Sequence, residues 1–238
     1  MSTDKALNTL KEKSPTLSVG IFSADLGRLD SEVESLESTG IGAIHFDVMD
    51  GCFVPMMTAG PLMVKAVRTR LLKDVHLLIE NPEEKAESYV AAGADMVTVH
   101  LEACRDALPL LRRLDGMANG NNPHRGIVRG VAVNPGTSLG LLEPLLPELE
   151  MVVLLTLDPR IQGQGFQDST FERAVELKRM ITASGREILF CIDGGVKRDN
   201  INVIAGLGAD LVVSGSAVFA GDDVPGSVSY MIDCLKSH

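Results

Sequence analysis

Residues 83–100, with the sequence EEKAESYVAAGADMVTVH, contain the unit that decides the fold. Glu83–Ala92 has the apolar spacing of a helix that covers a sheet, and Gly93 is a typical helix stop. Met96–His100 is a short, mostly apolar run with β-branched residues, which predicts a buried strand. Leu207-Gly208-Ala209-Asp210 repeats the glycine stop immediately before another such run. The chain is therefore predicted to alternate helices with strands.

This alternation continues along the whole chain and predicts eight strands. Further helices are predicted at Leu29–Ser38, Thr170–Ala183 and Asn200–Leu207, and most segments between strands are long enough for a crossover helix. The predicted strands are Leu17–Phe22, Ala43–Asp47, Asp74–Leu78, Met96–His100, Arg129–Val133, Met151–Leu155, Ile188–Ile192 and Leu211–Ser214. Eight such units predict an α/β fold, a single (β/α)8 TIM barrel, with an open doubly wound sheet as the alternative.

The barrel is predicted to be one domain, residues 16–238. Residues 1–15 carry Lys5, Lys11 and Lys13 without an apolar core, so we interpret them as a polar N-terminal extension rather than a signal peptide. Gly116–Gly126 is rich in Asn and Gly and predicts a surface loop rather than a domain linker.

Charge and cysteine content narrow the possible partners. The formal net charge of -10 argues against nucleic acid and anionic membranes, but it permits an anionic small substrate held by backbone amides. The four cysteines are widely spaced without a Cys-x-x-Cys pair, so neither a cysteine zinc site nor a disulfide framework is expected. No apolar run is long enough to span a bilayer. These features predict a cytoplasmic protein.

Polar side chains end several of the predicted strands, which is where barrel enzymes place catalysis. His45 and Asp47 end the second strand, and their alternation directs them to the same side. His76, His100 and Asp193 end the third, fourth and seventh strands. Burying several imidazoles and carboxylates together is unfavourable unless they bind a metal or a substrate. Mixed His and carboxylate ligands suit one divalent ion of zinc, iron, manganese or cobalt, without a choice among them.

Two glycine-containing turns follow the last two strands. They are Asp193-Gly194-Gly195-Val196 and Ser214-Gly215-Ser216-Ala217. Barrels commonly bind phosphate at this position with backbone amides at the starts of helices. Gly194, Gly195, Gly215 and Ser216 are therefore candidate phosphate-binding residues.

Several motifs in one order give the chain a resemblance to the ribulose-phosphate 3-epimerase family from about Leu17 to Phe219. The motifs are Phe22-Ser23-Ala24-Asp25, His45-Phe46-Asp47-Val48-Met49-Asp50-Gly51 with Phe53-Val54-Pro55, Asp74-Val75-His76-Leu77, Asn134-Pro135, and the two glycine turns. The resemblance implies that His45, Asp47, His76 and Asp193 bind one divalent metal. It also implies that Asp47 and Asp193 act as general acid and base, that Met49 lines the reacting carbon, and that the chain forms a homo-oligomer.

The activity implied by this resemblance is the epimerisation of D-ribulose 5-phosphate at carbon 3, with no organic cofactor. Three departures from the family pattern leave the sugar open. Gly20 replaces a usual serine, and Leu78 and Leu155 replace usual methionines. The loop after the sixth strand, Asp158–Gln164, retains Gly163 as a candidate phosphate contact. In the same loop Arg160 replaces a glycine, and it either grips phosphate or is a solvated surface residue.

Other activities remain as alternatives. One is a 3-epimerase of a different ketose phosphate, such as D-allulose 6-phosphate, and another is a weakly catalytic protein that binds sugar phosphates. A phosphate-binding decarboxylase is disfavoured because Asp74–Ile79 lacks the Asp-x-Lys-x-x-Asp array expected after the third strand.

Overall fold

The computed structural model describes residues 4–237 and shows a barrel of eight parallel strands that closes on itself. The strands are β1 (Thr16–Gly20), β2 (Ala43–Met49), β3 (Leu72–Leu78), β4 (Met96–His100), β5 (Val128–Val133), β6 (Met151–Leu155), β7 (Leu189–Asp193) and β8 (Leu211–Ser214). Each strand pairs with the next along the chain, and β8 pairs with β1 from Leu211 opposite Thr16 onward. The predicted (β/α)8 barrel is confirmed, because this last pairing excludes an open sheet.

The described chain also contains eight α-helices. They are α1 (Ala6–Lys13), α2 (Leu29–Glu37), α3 (Pro61–Ala66), α4 (Ala86–Ala91), α5 (Ala107–Asp115), α6 (Ser169–Ser184), α7 (Ile201–Ala205) and α8 (Val224–Lys236). The four predicted helices correspond to α2, α4, α6 and α7. Gly93 and Gly208 have φ angles of 100° and 66°, so both stops use the left-handed backbone that glycine favours. Within residues 4–237, no helix is both long and apolar enough to cross a membrane.

Two connections differ from the regular pattern. β1 is shorter than the predicted Leu17–Phe22, because Ile21–Ser23 form a 3-10 turn. β5 and β6 are joined by two further 3-10 turns, Leu139–Leu142 and Leu146–Glu148, instead of an α-helix. Pro144 and Pro147 lie in this connection, and proline inside a helix removes a backbone hydrogen bond.

The interior of the barrel is apolar at the strand starts and gains polar side chains toward the carboxyl ends. Inward-facing residues at the strand starts form one buried cluster that includes Ala43, Leu72, Met96, Val128, Met151, Leu189 and Leu211. Nearer the carboxyl ends several inward positions are polar, and His45, His76 and His100 are at most 2% exposed, whereas β6 keeps the apolar Val153 and Leu155. The alternate residues of β2, including Ile44 and Phe46, belong to a second buried cluster. The side chains available for chemistry are therefore gathered at one end of the barrel.

Helix α1 gives the N-terminal segment a structural role that its polar composition did not predict. Ala6, Leu7 and Leu10 are buried and belong to the same apolar cluster as the starts of the barrel strands. The helix therefore covers the amino-terminal mouth of the barrel. Residues 1–3 of the predicted extension lie outside the described residues.

The segment Gly116–Gly126, predicted to be a surface loop rather than a domain linker, contains two short strands instead of an irregular loop. Ala118–Asn119 and Asn122–Gly126 form an antiparallel hairpin, whose second strand also pairs with Asp4–Lys5. Asn119 holds the turn in place: its side-chain oxygen accepts hydrogen bonds from the two backbone amides of residues 121 and 122. The Asn-rich composition of the segment therefore builds a tight turn rather than an irregular loop.

Candidate active site

Four side chains converge at the carboxyl end of the barrel. His45 and Asp47 come from β2, His76 from β3 and Asp193 from β7. Each of them offers one possible metal-ligand atom, and these four atoms all lie within 4.8 Å of one another. The structure thus brings together the complete set of predicted metal ligands, although three strands lie between β3 and β7.

Both carboxylates approach the same imidazole nitrogen. Nδ1 of His76 lies 3.3 Å from Oδ1 of Asp47 and 3.2 Å from Oδ2 of Asp193. Nε2 of His45 lies 3.1 Å from Oδ1 of Asp47 and 3.9 Å from Oδ2 of Asp193. The alternation in His45-Phe46-Asp47 correctly predicted that the first and third side chains share a face.

A buried carboxylate fixes the orientation of His45. Nδ1 of His45 lies 2.7 Å from Oδ2 of Asp74, and the hydroxyl of Ser18 donates to the same oxygen at 2.9 Å. In the neutral ring this contact assigns the proton to Nδ1, so the lone pair on Nε2 faces Asp47 and Asp193. A carboxylate partner of this kind commonly orients histidine ligands of metals. Asp74 was part of a sequence motif but was given no role, although it precedes His76 by two residues and therefore shares its face of the strand.

Nδ1 of His76 has a position that suits a cation. It is buried and makes no hydrogen bond of acceptable geometry, despite its short distances to Asp47 and Asp193. A buried nitrogen without a well-formed hydrogen bond is unfavourable, and two nitrogens facing two carboxylates form the kind of mixed donor set that divalent transition metals bind. The residues present therefore fit a divalent metal ion.

His100 lies beside this group and does not belong to the four candidate ligands. Its Nε2 is 2.9 Å from Nε2 of His76, and its Nδ1 is 3.2 Å from Oε2 of Glu102. Burial lowers the pKa of His100, although Glu102 partly offsets this effect. Glu102 was missed in the sequence, yet the spacing His100-x-Glu102 at a strand end was a usable signal.

The electrostatics of the group favour charged imidazoles when no metal is bound. Burial acts to lower the pKa of His76, but Asp193 and Asp47 outweigh it and raise this pKa to about 9. Burial likewise opposes a charge on His45, while Asp74 and Asp47 raise its pKa well above the usual range. The two imidazoles in turn hold the pKa of Asp47 well below its usual range, against the effect of burial. Metal binding must therefore release protons from the histidines.

A cavity of about 180 Å³ opens beside the carboxylates. Asp47 and Asp193 line it together with Gly20, Phe22, Ser23 and the four candidate phosphate-binding residues of the two glycine turns, Gly194, Gly195, Gly215 and Ser216. The two glycines after β7 have φ angles of 103° and 59°, which only glycine adopts readily. The cavity therefore combines two carboxylates with glycine backbone amides, a combination suited to a phosphorylated substrate.

The other predicted substrate contacts lie outside the residues that line this cavity. Arg160 is exposed, and its side chain donates two hydrogen bonds to Asp158, at 2.9 and 2.6 Å. Its guanidinium carbon lies 5.7 Å from the ring centre of Phe53. Gly163 is exposed in the same loop, and Met49 lines a neighbouring depression. Contacts of these three residues with the substrate stay predictions.

Comparison with known proteins identifies the family to which the chain is similar. The sequence model of the ribulose-phosphate 3 epimerase family matches residues 16–219. The ribulose-phosphate 3-epimerase of Bacillus subtilis (strain 168) is 39% identical, over 88% of this chain and 94% of that protein. The ribulose-phosphate 3-epimerase of Escherichia coli (strain K12) is 34% identical, over 89% of this chain and 92% of that protein. Among solved structures, KGPDC from Streptococcus mutans has a TM-score of 0.66 at 13% identity, covering 94% of this chain and 98% of that one, which shows a shared fold.

Proposed function

This chain belongs to the ribulose-phosphate 3-epimerase family and is an isomerase that acts on carbohydrates, and we propose that it converts D-ribulose 5-phosphate to D-xylulose 5-phosphate. The observation that carries the proposal is that Asp47 and Asp193 lie close together at one cavity. Both carboxylates contact His76 from different strands, and both line the cavity that also contains the glycine turns.

Inversion at carbon 3 requires two proton transfers on opposite faces of the sugar. The carbon lies next to a carbonyl, so removing its proton leaves an enediolate in the substrate. One aspartate acts as the base, and the other, in its protonated form, returns a proton to the opposite face. After one turnover the protonation states of Asp47 and Asp193 are exchanged, which prepares the site for the reverse reaction.

The proposed metal would be held by His45, Asp47, His76 and Asp193. When bound, it supplies Lewis-acid stabilisation of the negative charge that develops on the substrate oxygens. Asp74 contributes by orienting His45 through the hydrogen bond to Nδ1. The backbone amides of Gly194, Gly195, Gly215 and Ser216 would anchor the phosphate and so place the reacting carbon near the two aspartates.

The proposal is tested by solvent exchange. The metal-loaded protein is incubated with D-ribulose 5-phosphate in deuterated water, and NMR follows the product and the deuterium at carbon 3. We expect xylulose 5-phosphate that carries solvent deuterium, and we expect Asp193→Asn to abolish both signals. If the protein with bound metal gives no product and no deuterium exchange, D-ribulose 5-phosphate is excluded as the substrate.

Gly20 supports a second candidate, a 3-epimerase of another ketose phosphate such as D-allulose 6-phosphate. It lines the cavity without a side chain, and a Cβ there would lie 3.4 Å from Cα of Gly215, so a side chain would narrow the cavity. The same exchange experiment with a panel of ketose phosphates separates the two candidates. Binding of several sugar phosphates without exchange would instead support a weakly catalytic binding protein. Sedimentation of the purified protein would test the predicted homo-oligomer.

A further inference from the structure

A chain of hydrogen-bonded groups leads from His76 into the wall of the barrel. Nε2 of His76 faces Nε2 of His100 at 2.9 Å, and Nδ1 of His100 faces Oε2 of Glu102 at 3.2 Å. The other carboxylate oxygen of Glu102 accepts hydrogen bonds from the backbone amide of Asn134, at 2.8 Å, and from the hydroxyl of Thr137. The chain begins at a candidate metal ligand and ends at the backbone, which cannot change its hydrogen-bonding role.

The direction of each hydrogen bond follows from this fixed end. A backbone N–H only donates, so Oε1 of Glu102 accepts and Oε2 remains to accept from His100. The ring proton of a neutral His100 therefore lies on Nδ1, which leaves a lone pair on Nε2. Since that lone pair accepts from His76, the single ring proton of His76 lies on Nε2 once the ring is neutral, as metal binding requires.

The consequence appears on the opposite side of the His76 ring. With the proton on Nε2, the lone pair of Nδ1 points toward Asp47 and Asp193, where the candidate ligand atoms meet. The reverse tautomer would place a hydrogen on the ligand atom and prevent coordination. Because His76 and His100 are at most 1% exposed, no bulk water is present to supply an alternative partner for either ring.

We propose that Glu102 and His100 are positioning residues that hold His76 in the tautomer required for a divalent cation to bind its Nδ1. This inference rests on the proposed metal-dependent function. It places a second carboxylate outside the four ligands, after Asp74, and joins it to His76 through the His100 imidazole. Asp74 has the corresponding role for His45 by direct contact.

Glu102→Gln is the sharpest test, because it preserves the size of the side chain. The backbone amide of Asn134 donates to the single amide oxygen of the new side chain at position 102. The NH2 group of that side chain therefore faces Nδ1 of His100. This donor reverses the tautomer of His100 and then that of His76. We expect the Kd for Zn²⁺, measured by competition with a chelating dye, to rise at least about tenfold. Thr137→Val is the matched control: it removes one hydrogen bond to the same carboxylate but leaves Oε2 facing His100, so its Kd should equal that of the wild type.

The outcomes separate this inference from the proposed function. If wild-type protein binds Zn²⁺ and Glu102→Gln binds it equally well, the tautomer proposal is wrong while the proposed function stands. If wild-type protein binds no divalent metal, both are overturned. Nitrogen NMR of the His100 ring in the zinc-loaded wild type gives an answer that does not depend on any variant. A proton on Nδ1 supports the proposal, and a proton on Nε2 overturns it.

Discussion

Oδ2 of Asp193 lies 3.2 Å from Nδ1 of His76, although β7 and β3 are on different sides of the barrel. The closed barrel brings these two side chains together over its polar end. Asp47 completes the arrangement from β2 at 3.3 Å from the same nitrogen. Nδ1 of His76 is therefore close to both carboxylates that are proposed to transfer protons, those of Asp47 and Asp193.

Asp47→Asn should reduce kcat by at least about 100-fold, because an amide can neither remove nor return the proton at carbon 3. Turnover is measured with D-ribulose 5-phosphate under saturating metal, and bound metal is quantified separately. Asp199→Asn is the control, since Asp199 is an exposed carboxylate on the loop that follows β7. Equal turnover by both variants would remove Asp47 from the mechanism.

The metal-free protein should lose stability as the pH rises from about 6.5 to about 9. The pKa of His76 is raised to about 9 in the folded protein, so the stabilisation by its charge is fully present below its unfolded pKa and is lost as the pH passes through the folded value. Urea midpoints of the EDTA-treated protein at the two ends of this range measure the effect. The affinity for metal should change in the opposite direction, because binding releases protons. A metal-free midpoint that rises with pH would contradict the assigned charge.

Gly195→Ala should weaken phosphate binding and raise KM for the sugar phosphate. Gly195 has a φ angle of 59°, and an added Cβ would lie 3.2 Å from the backbone nitrogen of Phe166. The strain should also lower the free energy of unfolding by about 1–3 kcal/mol. Gly185→Ala is a matched control with a φ angle of 63° and no atom within 4 Å of the added Cβ, at the end of α6. Gly185→Ala should cause a comparable loss of stability with an unchanged KM. A raised KM in both variants would refute a direct role of Gly195 in phosphate binding.

Leu10→Ala should lower the free energy of unfolding by about 2–5 kcal/mol, because this side chain is only 2% exposed in the cluster that α1 shares with the strand starts. The activity at the opposite end of the barrel should persist at a temperature where the variant remains folded. Leu62→Ala, at a leucine that is 84% exposed, is the control and should have little effect. Equal unfolding midpoints in urea for the two variants would show that α1 contributes little to stability.

Cys52 should be the cysteine that reacts with a thiol reagent in the folded protein at about pH 8. It is exposed, whereas burial, with Glu83, Glu102 and Asp106, raises the pKa of Cys104 to about 12. Burial also raises the pKa of Cys191 well above its usual range, and Cys234 is buried. Titration with a chromogenic disulfide should therefore release one equivalent before unfolding and four afterwards. Rapid labelling of Cys104 would contradict this assignment.

Much of the fold was predictable because it depends on local patterns. The apolar strands, the glycine stops at Gly93 and Gly208, and the presence of eight repeating units indicated the barrel. The helix over residues 6–13 was missed because it has few apolar residues. These residues are buried only by contact with the strand starts at the mouth of the barrel. The hairpin around Asn119 was missed because Asn and Gly are also typical of irregular loops.

The sequence by itself determined which residues chemistry could use, since His45, Asp47, His76 and Asp193 end strands whose alternation fixes the face of each side chain. It also placed the glycine turns after the last two strands. Only the tertiary structure decided which side chains meet, because closure and stagger of the barrel set distances between strands that are remote in sequence. That closure placed Asp193 against His76 and joined His76 through His100 to Glu102, and no local pattern along the chain specifies such contacts.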